Sequence, residues 1–229
     1  LQYLDPKRGD VILDATIDGG GHAGRILKMI GEKGLLVGIE QDSGILDELK
    51  VKNQNSKLWQ NAILINENFR NLDKVLESLK IKKIDGAIFD LGMSSLQLED
   101  SGRGFSFQKN QPLLMTFKSE PSPGDLTAKD IVNKWREKEI ADLIYEYGEE
   151  RYSRKIAKGI IKVRRERSIE TTFELVEIVR KSVPAQYRSN KSLNCATRTF
   201  QALRIVVNDE LTALKEGINK VWDFLREDG

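Results

Sequence analysis

The first ninety residues alternate short apolar runs with amphipathic stretches, and this alternation constrains the fold more than any other feature of the sequence. The apolar runs predict buried strands and lie at residues 11–15, 35–39, 62–65 and 84–89. The stretches between them, near residues 23–31, 43–53 and 70–80, predict helices. Strands and helices that alternate in this way form a parallel sheet through right-handed crossovers, with helices on both faces. The sequence therefore predicts an α/β fold with a Rossmann-like parallel sheet.

The pattern changes after Asp90, where a loop with several Gly and Ser residues leads into an all-helical region. Helical periodicity predicts helices at residues 127–147, 152–165, 172–181 and 197–225. The last of these keeps an apolar stripe suited to packing on the sheet, so we interpret the helices before it as an insertion. The predicted divisions are a sheet part at residues 1–98, a loop and helical insertion at 99–196, and a helix returning to the sheet at 197–229.

Composition excludes several classes of protein. The chain of 229 residues is 39% hydrophobic and has only five prolines, so it can bury an ordinary core. No apolar run approaches the roughly 18 residues of a membrane helix, and the opening residues lack the pattern of a secretory signal, so we expect a cytoplasmic protein with no membrane partner. With one cysteine, Cys195, and one histidine, His22, the sequence excludes an internal disulfide and the usual zinc clusters, and we expect no metal.

Charge is distributed unevenly along the chain. The net charge is only +2, but residues 151–204 contain 14 Lys and Arg against four acidic residues. Such a block is typical of a surface that binds nucleic acid, although many charge runs only coat solvated helix faces. The charge pattern alone leaves both interpretations open.

Two acidic residues end neighbouring predicted strands. Asp14 begins the segment DATIDGGGHAG, whose glycines match the G-x-G-x-x-G spacing of a dinucleotide-binding turn, and Glu40 ends the second strand in VGIEQD. A carboxylate at Asp14 would repel a pyrophosphate but attract a ligand that carries an ammonium and a sulfonium. Glu40 could accept hydrogen bonds from both ribose hydroxyls of an adenosine. The two acids therefore favour S-adenosyl-L-methionine as the cofactor.

The residues after the third and fourth predicted strands extend this candidate site. Phe69 follows the third strand, where its ring could stack on adenine or simply pack in the core. Asp90 ends the fourth strand, and Ser94, Ser95 and Gln97 after it offer donors and acceptors to a planar polar group such as a nucleobase edge. Because ligands of such sheets bind past the carboxyl ends of the strands, Asp90 is the first catalytic candidate.

Six segments of the chain carry a family resemblance. They are DATIDGGGHAG, GIEQD, DGAIFDLGMSSLQL, RGFSFQK, EYGEERYSRKIAK and ATRTFQALRIVVNDEL. Together they resemble the bacterial 16S ribosomal RNA cytosine-N4 methyltransferases, the MraW or RsmH family. The resemblance implies a class I methyltransferase fold with a helical insertion for RNA recognition, and a cytosine of 16S rRNA, in the small ribosomal subunit, as acceptor. The implied cofactor contacts are Gly20, Gly21, His22, Glu40, Phe69, Asp90 and Gln97.

The chain also departs from the family pattern. Asp18 stands where the family commonly has glycine, and Glu40 replaces the usual aspartate. The family's PLDMRMD reads PLLMTFK here, and Asn194 with Cys195 replaces a His-Pro pair. The family's N-terminal HIPVLL-type segment and its C-terminal GGRL and ISFHSLEDR runs lie outside this sequence, so we expect an incomplete sheet.

Methylation of a cytosine amino group needs an acceptor for the amino hydrogens and in-line alignment with the methyl group. We expect Asp90, with Ser94 or Ser95, to orient the N4 amino group. We expect a base turned out of its stack to contact Arg103, Phe105 and Phe107. We expect RNA phosphates to contact Arg198, Arg204 and the basic residues within 155–167. The alternatives are core anchoring of the two phenylalanines and pairing of the arginines within the protein.

Two other functions fit parts of the pattern. An NAD-dependent oxidoreductase would use the G-x-G-x-x-G spacing, but Asp14 and the lack of a second histidine as proton relay oppose it. A catalytically impaired RNA-binding or ribosome-assembly protein would keep the fold without the PLDMRMD acids. Binding of S-adenosylhomocysteine against NAD separates the first alternative from a methyltransferase, and methyl transfer onto small-subunit particles separates the second.

Overall fold

A computed structural model of the chain describes residues 3–94, 97–98, 101–188 and 194–227. Among these residues, the strands are β1 (Val11–Asp14), β2 (Leu35–Glu40), β3 (Ala62–Asn66) and β4 (Gly86–Ile88). They pair in parallel in the order β3-β2-β1-β4, so their carboxyl ends meet at one edge of the sheet. The predicted Rossmann-like parallel sheet is therefore confirmed.

Helices surround the sheet and make up the later part of the chain. The helices near the sheet strands in sequence are α1 (Gly21–Ile30), α2 (Ser43–Asn53) and α3 (Leu72–Ser78). Those that follow are α4 (Ala128–Lys134), α5 (Glu137–Gly148), α6 (Ser153–Arg164), α7 (Thr172–Ser182), α8 (Ala185–Arg188), α9 (Thr197–Val207) and α10 (Glu210–Phe224). Within the described part of the chain, no helix is long and apolar enough to cross a membrane.

The core lies on both faces of the sheet. Successive residues of a strand point to opposite faces, so Ile12 of β1 packs with α1 and α2, whereas Leu13 packs with α3 and with Val221 of α10. All three side chains are buried. This two-sided burial explains why the strands read as continuous apolar runs and not as alternating ones.

Contacts within the chain divide it into two compact units. The first comprises the described residues within Leu1–Leu96 and Leu211–Gly229, and so holds the sheet, α1 to α3 and nearly all of α10. The second is Gln97–Glu210, where α9 packs on α5, α5 on α6 and α6 on α7. The boundaries at residues 98 and 196 remain predictions, and they differ from this division in placing α9 with the sheet.

The last predicted helix is in fact two helices, because the chain turns at Asn208 and Asp209. Asp209 has a left-handed φ of +48°, which ends the helical path of α9. The side chain of Asn208 donates to the carbonyl of Met115 at 2.8 Å and accepts from the backbone N–H of Phe117 at 2.7 Å. These bonds satisfy backbone groups of the 115–117 loop and hold the turn in place.

The predicted helix at residues 127–147 is also divided. Trp135 is extended, with ψ of 155°, and Arg136 starts the next helix with a backbone N–H that donates to Glu139 at 2.8 Å. At the end of α4, Nη1 of Arg164 donates to the carbonyls of Val132 and Trp135 at 3.1 and 2.6 Å. A side chain of α6 thus satisfies the carbonyls that the end of α4 leaves open.

Candidate cofactor-binding cleft

Two buried carboxylates lie at the carboxyl ends of neighbouring strands. Asp14 ends β1 and Glu40 ends β2, and the two residues are 2% and 7% exposed. Glu40 accepts backbone hydrogen bonds from Asp18 at 3.1 Å and from Asp42 at 2.8 Å. Asp14 accepts one from the N–H of Thr16 at 3.2 Å. These bonds hold both carboxylates against the loops that follow the strands.

Burial raises the pKa of Asp14 and of Glu40 to about 7 in each case. The backbone hydrogen bonds to the two carboxylates oppose this rise, and the negative charge of Asp18 adds to it. The pKa of Asp18 itself is raised to about 6, first by burial and then by the charges of Asp90 and Asp42. Several acidic groups therefore lie together at this edge of the sheet, and a bound cation would stabilise their ionised forms.

Asp90 follows β4, and its side chain is 60% exposed. Its Oδ2 lies 3.1 Å from Nε2 of His22, and its backbone N–H donates to Oγ1 of Thr16 at 2.7 Å. Just before these residues, the N–H of Ala15 donates to the carbonyl of Ile88, the last residue of β4, at 2.9 Å. The loops after β1 and β4 thus hold the Asp90 carboxylate from two sides while leaving it accessible.

A cleft of about 300 Å³ opens at this edge and is lined by Thr16, Ile17, Asp18, Gly21, His22, Arg25 and Asp90. The glycines of the turn serve two different purposes. Gly20 has φ of +80°, and a Cβ there would lie 2.7 Å from Leu49 and 2.8 Å from Trp59, so the packing of the turn itself requires glycine. A Cβ on Gly21 would meet no atom within 4 Å, which leaves room beside the cleft for a ligand.

The cleft fits the cationic cofactor that the sequence predicts. Asp18 and Asp90 line it, and Asp14 is close enough to interact electrostatically with both. Nδ1 of His22 is buried and has no hydrogen-bond partner in the described part of the chain, so it is a polar atom that a ligand could satisfy. An ammonium and a sulfonium suit such an acidic site, whereas a pyrophosphate does not.

Comparison with known protein families decides the assignment, since a profile of the MraW methylase family matches residues 1–229. The chain belongs to the MraW methylase family. It is 44% identical over 229 residues to "Ribosomal RNA small subunit methyltransferase H" of Clostridium botulinum (strain Kyoto / Type A2), covering 100% of this chain and 72% of that protein. The protein of the same name from Halothermothrix orenii is 41% identical over 100% of this chain and 71% of its own length.

Membership of the MraW family confirms S-adenosylmethionine as the cofactor of this methylase. Asp18 and Asp90 give the cleft carboxylates that a sulfonium would complement, and His22 adds a ring nitrogen that the cofactor could satisfy. Among the residues that the structure describes, no group of His, Cys, Asp and Glu side chains could hold a metal ion.

The other residues near the sheet that were predicted to contact ligands are not among the described residues that line the cleft. Phe69 begins a short 3-10 helix after β3, and its ring packs edge to face on Phe89 with centroids 5.7 Å apart. A Cβ on Gly217 of α10 would lie 3.1 Å from both rings, so Phe69 belongs partly to the core of this MraW methylase, and its stacking on adenine stays a prediction. Ser94 lies in the loop after Asp90, and Ser95 falls outside the described residues.

Three residues expected to hold a flipped base pack inside the second unit. Arg103 is 8% exposed, and its Nη1 donates to the carbonyl of Phe117 at 2.8 Å. Phe105 is 4% exposed and stacks on Phe117 at 5.6 Å, and Phe107 packs edge to face on Phe200 at 5.7 Å. Burial leaves Arg103 and Phe105 little exposed surface, and contact of these three residues with a flipped base stays a prediction.

The arginines expected to contact phosphates also have partners inside the second unit. Arg204 forms a two-bond ion pair with Glu210, at 2.7 and 2.9 Å. Arg198 donates to the backbone carbonyl of Glu149 at 2.7 Å. Gln97, an expected cofactor contact, is a buried residue of the same unit. Pairing within the protein was the alternative left open for the arginines, and their phosphate contacts stay predictions.

Exposed cations of this methylase recur along α6. Arg154, Lys158, Lys162 and Arg165 are exposed and form no ion pair with another described residue. Their spacing of four, four and three residues places them on one side of the helix. These four residues form the basic stripe, which overlaps the block 155–167 predicted to contact phosphates.

Sequence reasoning did not select three polar residues in or beside the cleft. Thr16 orients Asp90, Asp18 lines the cleft, and buried Asp42 caps α2 by accepting from the N–H of Gly44 at 3.1 Å. Asp42 could have been recognised as the N-cap before an amphipathic stretch. Asp18 was noted only as a departure from a glycine pattern, which says nothing about where its carboxylate lies.

Proposed function

We propose that this chain transfers a methyl group from S-adenosylmethionine to the N4 amino group of a cytosine in 16S ribosomal RNA, within the small ribosomal subunit. It is an rRNA methyltransferase, as the names of relatives that align with the whole chain indicate. The cytosine-N4 acceptor rests on the resemblance of the six sequence segments. The observation that carries the proposal is the accessible carboxylate of Asp90 lining an acidic cleft.

The amino group of cytosine is a weak nucleophile, because its lone pair is delocalised into the ring. When bound, S-adenosylmethionine supplies a methyl group on a sulfonium. Formation of the nitrogen–carbon bond would leave the electron pair of the sulfur–carbon bond on a neutral thioether sulfur, and the proton lost by the nitrogen would pass to the Asp90 carboxylate or to water. A carboxylate that accepts a hydrogen bond from the amino group as the nitrogen rehybridises would lower this barrier.

Asp90 is suited to be that acceptor. Its Oδ2 is bonded to His22, and its Oδ1 accepts no hydrogen bond from another described residue, so Oδ1 is available to an amino group. The backbone bond to Thr16 restricts the motion of Asp90. Ser94 lies in the same loop and Ser95 is next in sequence, and we propose that their hydroxyl groups orient the base.

The basic stripe on α6 supports an RNA substrate. Four cations without ion-pair partners among the described residues span about 16 Å along the helix at 1.5 Å per residue. Such a row attracts a phosphate backbone irrespective of sequence, which positions the RNA without selecting the base. Selection of the cytosine would then depend on the cleft.

Labelled methyl transfer onto small-subunit particles and onto free 16S RNA tests the proposal. We expect Asp90→Asn to lower the rate by about 100-fold or more, the usual effect of losing a positioned proton acceptor. Its affinity for S-adenosylhomocysteine should stay within about threefold, since the variant keeps the size of the side chain. Asp47→Asn is the matched control, because Asp47 is an exposed acid of α2 outside the cleft.

An unchanged rate for Asp90→Asn would overturn the role of Asp90, and mass spectrometry that finds the methyl group at a position other than cytosine N4 would overturn the proposed acceptor. RNA binding by the unmodified chain without any methyl transfer would support the assembly-protein alternative. Binding of NAD in place of S-adenosylhomocysteine would support the oxidoreductase.

A further inference from the structure

Asp18 is an unusual residue of the cleft. It lies in the turn between β1 and α1 with a left-handed φ of +48°, a conformation that glycine adopts without strain and that most other residues avoid. Its backbone N–H donates to Glu40, but its own carboxylate accepts no hydrogen bond and forms no ion pair with any other described residue. The turn therefore tolerates a strained backbone and leaves a half-buried carboxylate unpaired.

The surroundings of Asp18 are mostly negative. Asp90 lines the same cleft, and Asp42 and the buried Glu40 lie close enough to interact with Asp18 electrostatically. The positive groups that line the cleft are Arg25 and, when protonated, His22. Nothing in the described protein thus compensates the Asp18 carboxylate directly, so a cationic ligand would gain from it.

The methyl donor and the product left after transfer share the adenosine and the amino acid end. They differ by one methyl group and one positive charge, because the sulfonium becomes a neutral thioether. A site can distinguish two such ligands mainly through charge, since a single methyl group contributes only a modest difference in binding.

We propose that Asp18 is a specificity-determining residue that makes the cleft prefer the sulfonium cofactor over its spent thioether form. Attraction between a carboxylate and the ammonium is common to both ligands, whereas attraction to the sulfur strengthens binding of the charged donor alone. Asp18 would therefore favour release of S-adenosylhomocysteine and its replacement by a fresh donor. The inference rests on the cofactor of the family and is independent of which nucleotide is methylated.

Calorimetric titration of S-adenosylmethionine and of S-adenosylhomocysteine, each against the full chain at pH 8, tests this inference. Asp18→Asn removes the charge, keeps the size of the side chain and is tolerated in a left-handed conformation. Asp18→Gly removes the charge and also relieves the backbone, so this variant should fold at least as well as the parent chain. Asp47→Asn again serves as the control.

We expect the ratio of the two dissociation constants, product over donor, to fall by about three- to tenfold in both Asp18 variants, the effect of one charge at an intermediate dielectric constant. Affinity for the product should change by less than about twofold. An unchanged ratio in both variants would overturn the inference, and so would an equal loss of affinity for the two ligands. Absence of binding of either ligand to the parent chain would overturn the cofactor site as well, whereas a wrong rRNA acceptor would leave the ratio unaffected.

Discussion

At the scale of single residues, burial makes the two strand-end acids respond to pH. The pKa of Asp14 and of Glu40 rises to about 7, from ordinary values of 3.8 and 4.5. In the intervening pH range the folded chain holds protons that the unfolded chain has released. The contribution of these groups to stability is therefore fully present below about pH 4 and is lost as the pH rises through 7. A cation in the cleft favours the ionised forms of these acids, so its binding should become stronger as the pH rises.

We therefore expect the melting temperature of the ligand-free chain to decrease as the pH is raised from 5 to 8. Over pH 6 to 8, the affinity for S-adenosylmethionine should rise by about tenfold, with release of protons on binding. Scanning calorimetry measures the melting temperature. Titration calorimetry in buffers of different ionisation enthalpy measures the affinity and the number of protons released. A variant with Asp14→Asn and Glu40→Gln should lose most of the pH dependence of stability, and an affinity of the parent chain that is constant with pH would contradict the prediction.

At the scale of secondary structure, the turn between α9 and α10 depends on one side chain. Asn208 is nearly buried and joins the end of α9 to the loop at residues 115–117 through three hydrogen bonds, two donated and one accepted. Its removal would leave the backbone N–H of Phe117 and the carbonyl of Met115 without these partners, whereas the carbonyl of Arg204 keeps its backbone bond. Unsatisfied buried groups cost more than the hydrogen bonds themselves contribute.

We expect Asn208→Ala to lower the free energy of unfolding by about 2–4 kcal/mol. Denaturation with urea, followed by circular dichroism, measures the change. Asn219→Ala is the matched control, because Asn219 is exposed on α10, and its free energy of unfolding should change by less than about 0.5 kcal/mol. A loss for Asn208→Ala as small as that of the control would show that the turn is held by packing alone.

The elements also show how far sequence reasoning reaches. The sheet and the strand-end positions of Asp14, Glu40 and Asp90 could be predicted, because buried parallel strands are continuous apolar runs and their ends define the ligand edge. The breaks at Trp135 and Asn208 could not, since the helical periodicity continues through them and the hydrogen bonds that hold them come from distant residues. The same reason applies to Arg103 and Phe105, whose motif does not reveal burial.

At the scale of the whole molecule, charge is divided between regions of the chain. The acidic cleft belongs to the sheet unit, and the basic stripe belongs to the helical unit. Under the proposed function, the cationic cofactor and the anionic RNA would bind at separate sites of matching charge. Because each unit suits one ligand, a change in the stripe should alter RNA affinity and leave cofactor affinity intact.

We expect replacement of the four stripe cations by Gln to reduce the slope of log affinity for 16S RNA against log salt concentration by about 2–3, close to 0.7 for each lost phosphate contact on a single strand. Filter binding at several salt concentrations measures the slope. The control replaces four exposed lysines of the sheet unit, Lys28, Lys33, Lys50 and Lys52. Equal slopes for the stripe variant and the parent chain would exclude the stripe as a phosphate surface.

Two hydrogen bonds, between Asp90 and Thr16 and between Ala15 and Ile88, limit how far Asp90 can move relative to the sheet. They fasten Asp90, which we propose as the acceptor for the amino group, to the same sheet that carries the glycine turn of the candidate cofactor cleft. Under the proposed function, the separation of the base from the methyl donor would follow the spacing of adjacent strands, about 4.8 Å, and not the motion of a surface loop. Because Asp90 and the glycine turn are fixed to adjacent strands, thermal motion would move them together. The alignment needed for methyl transfer would then be kept during such fluctuations.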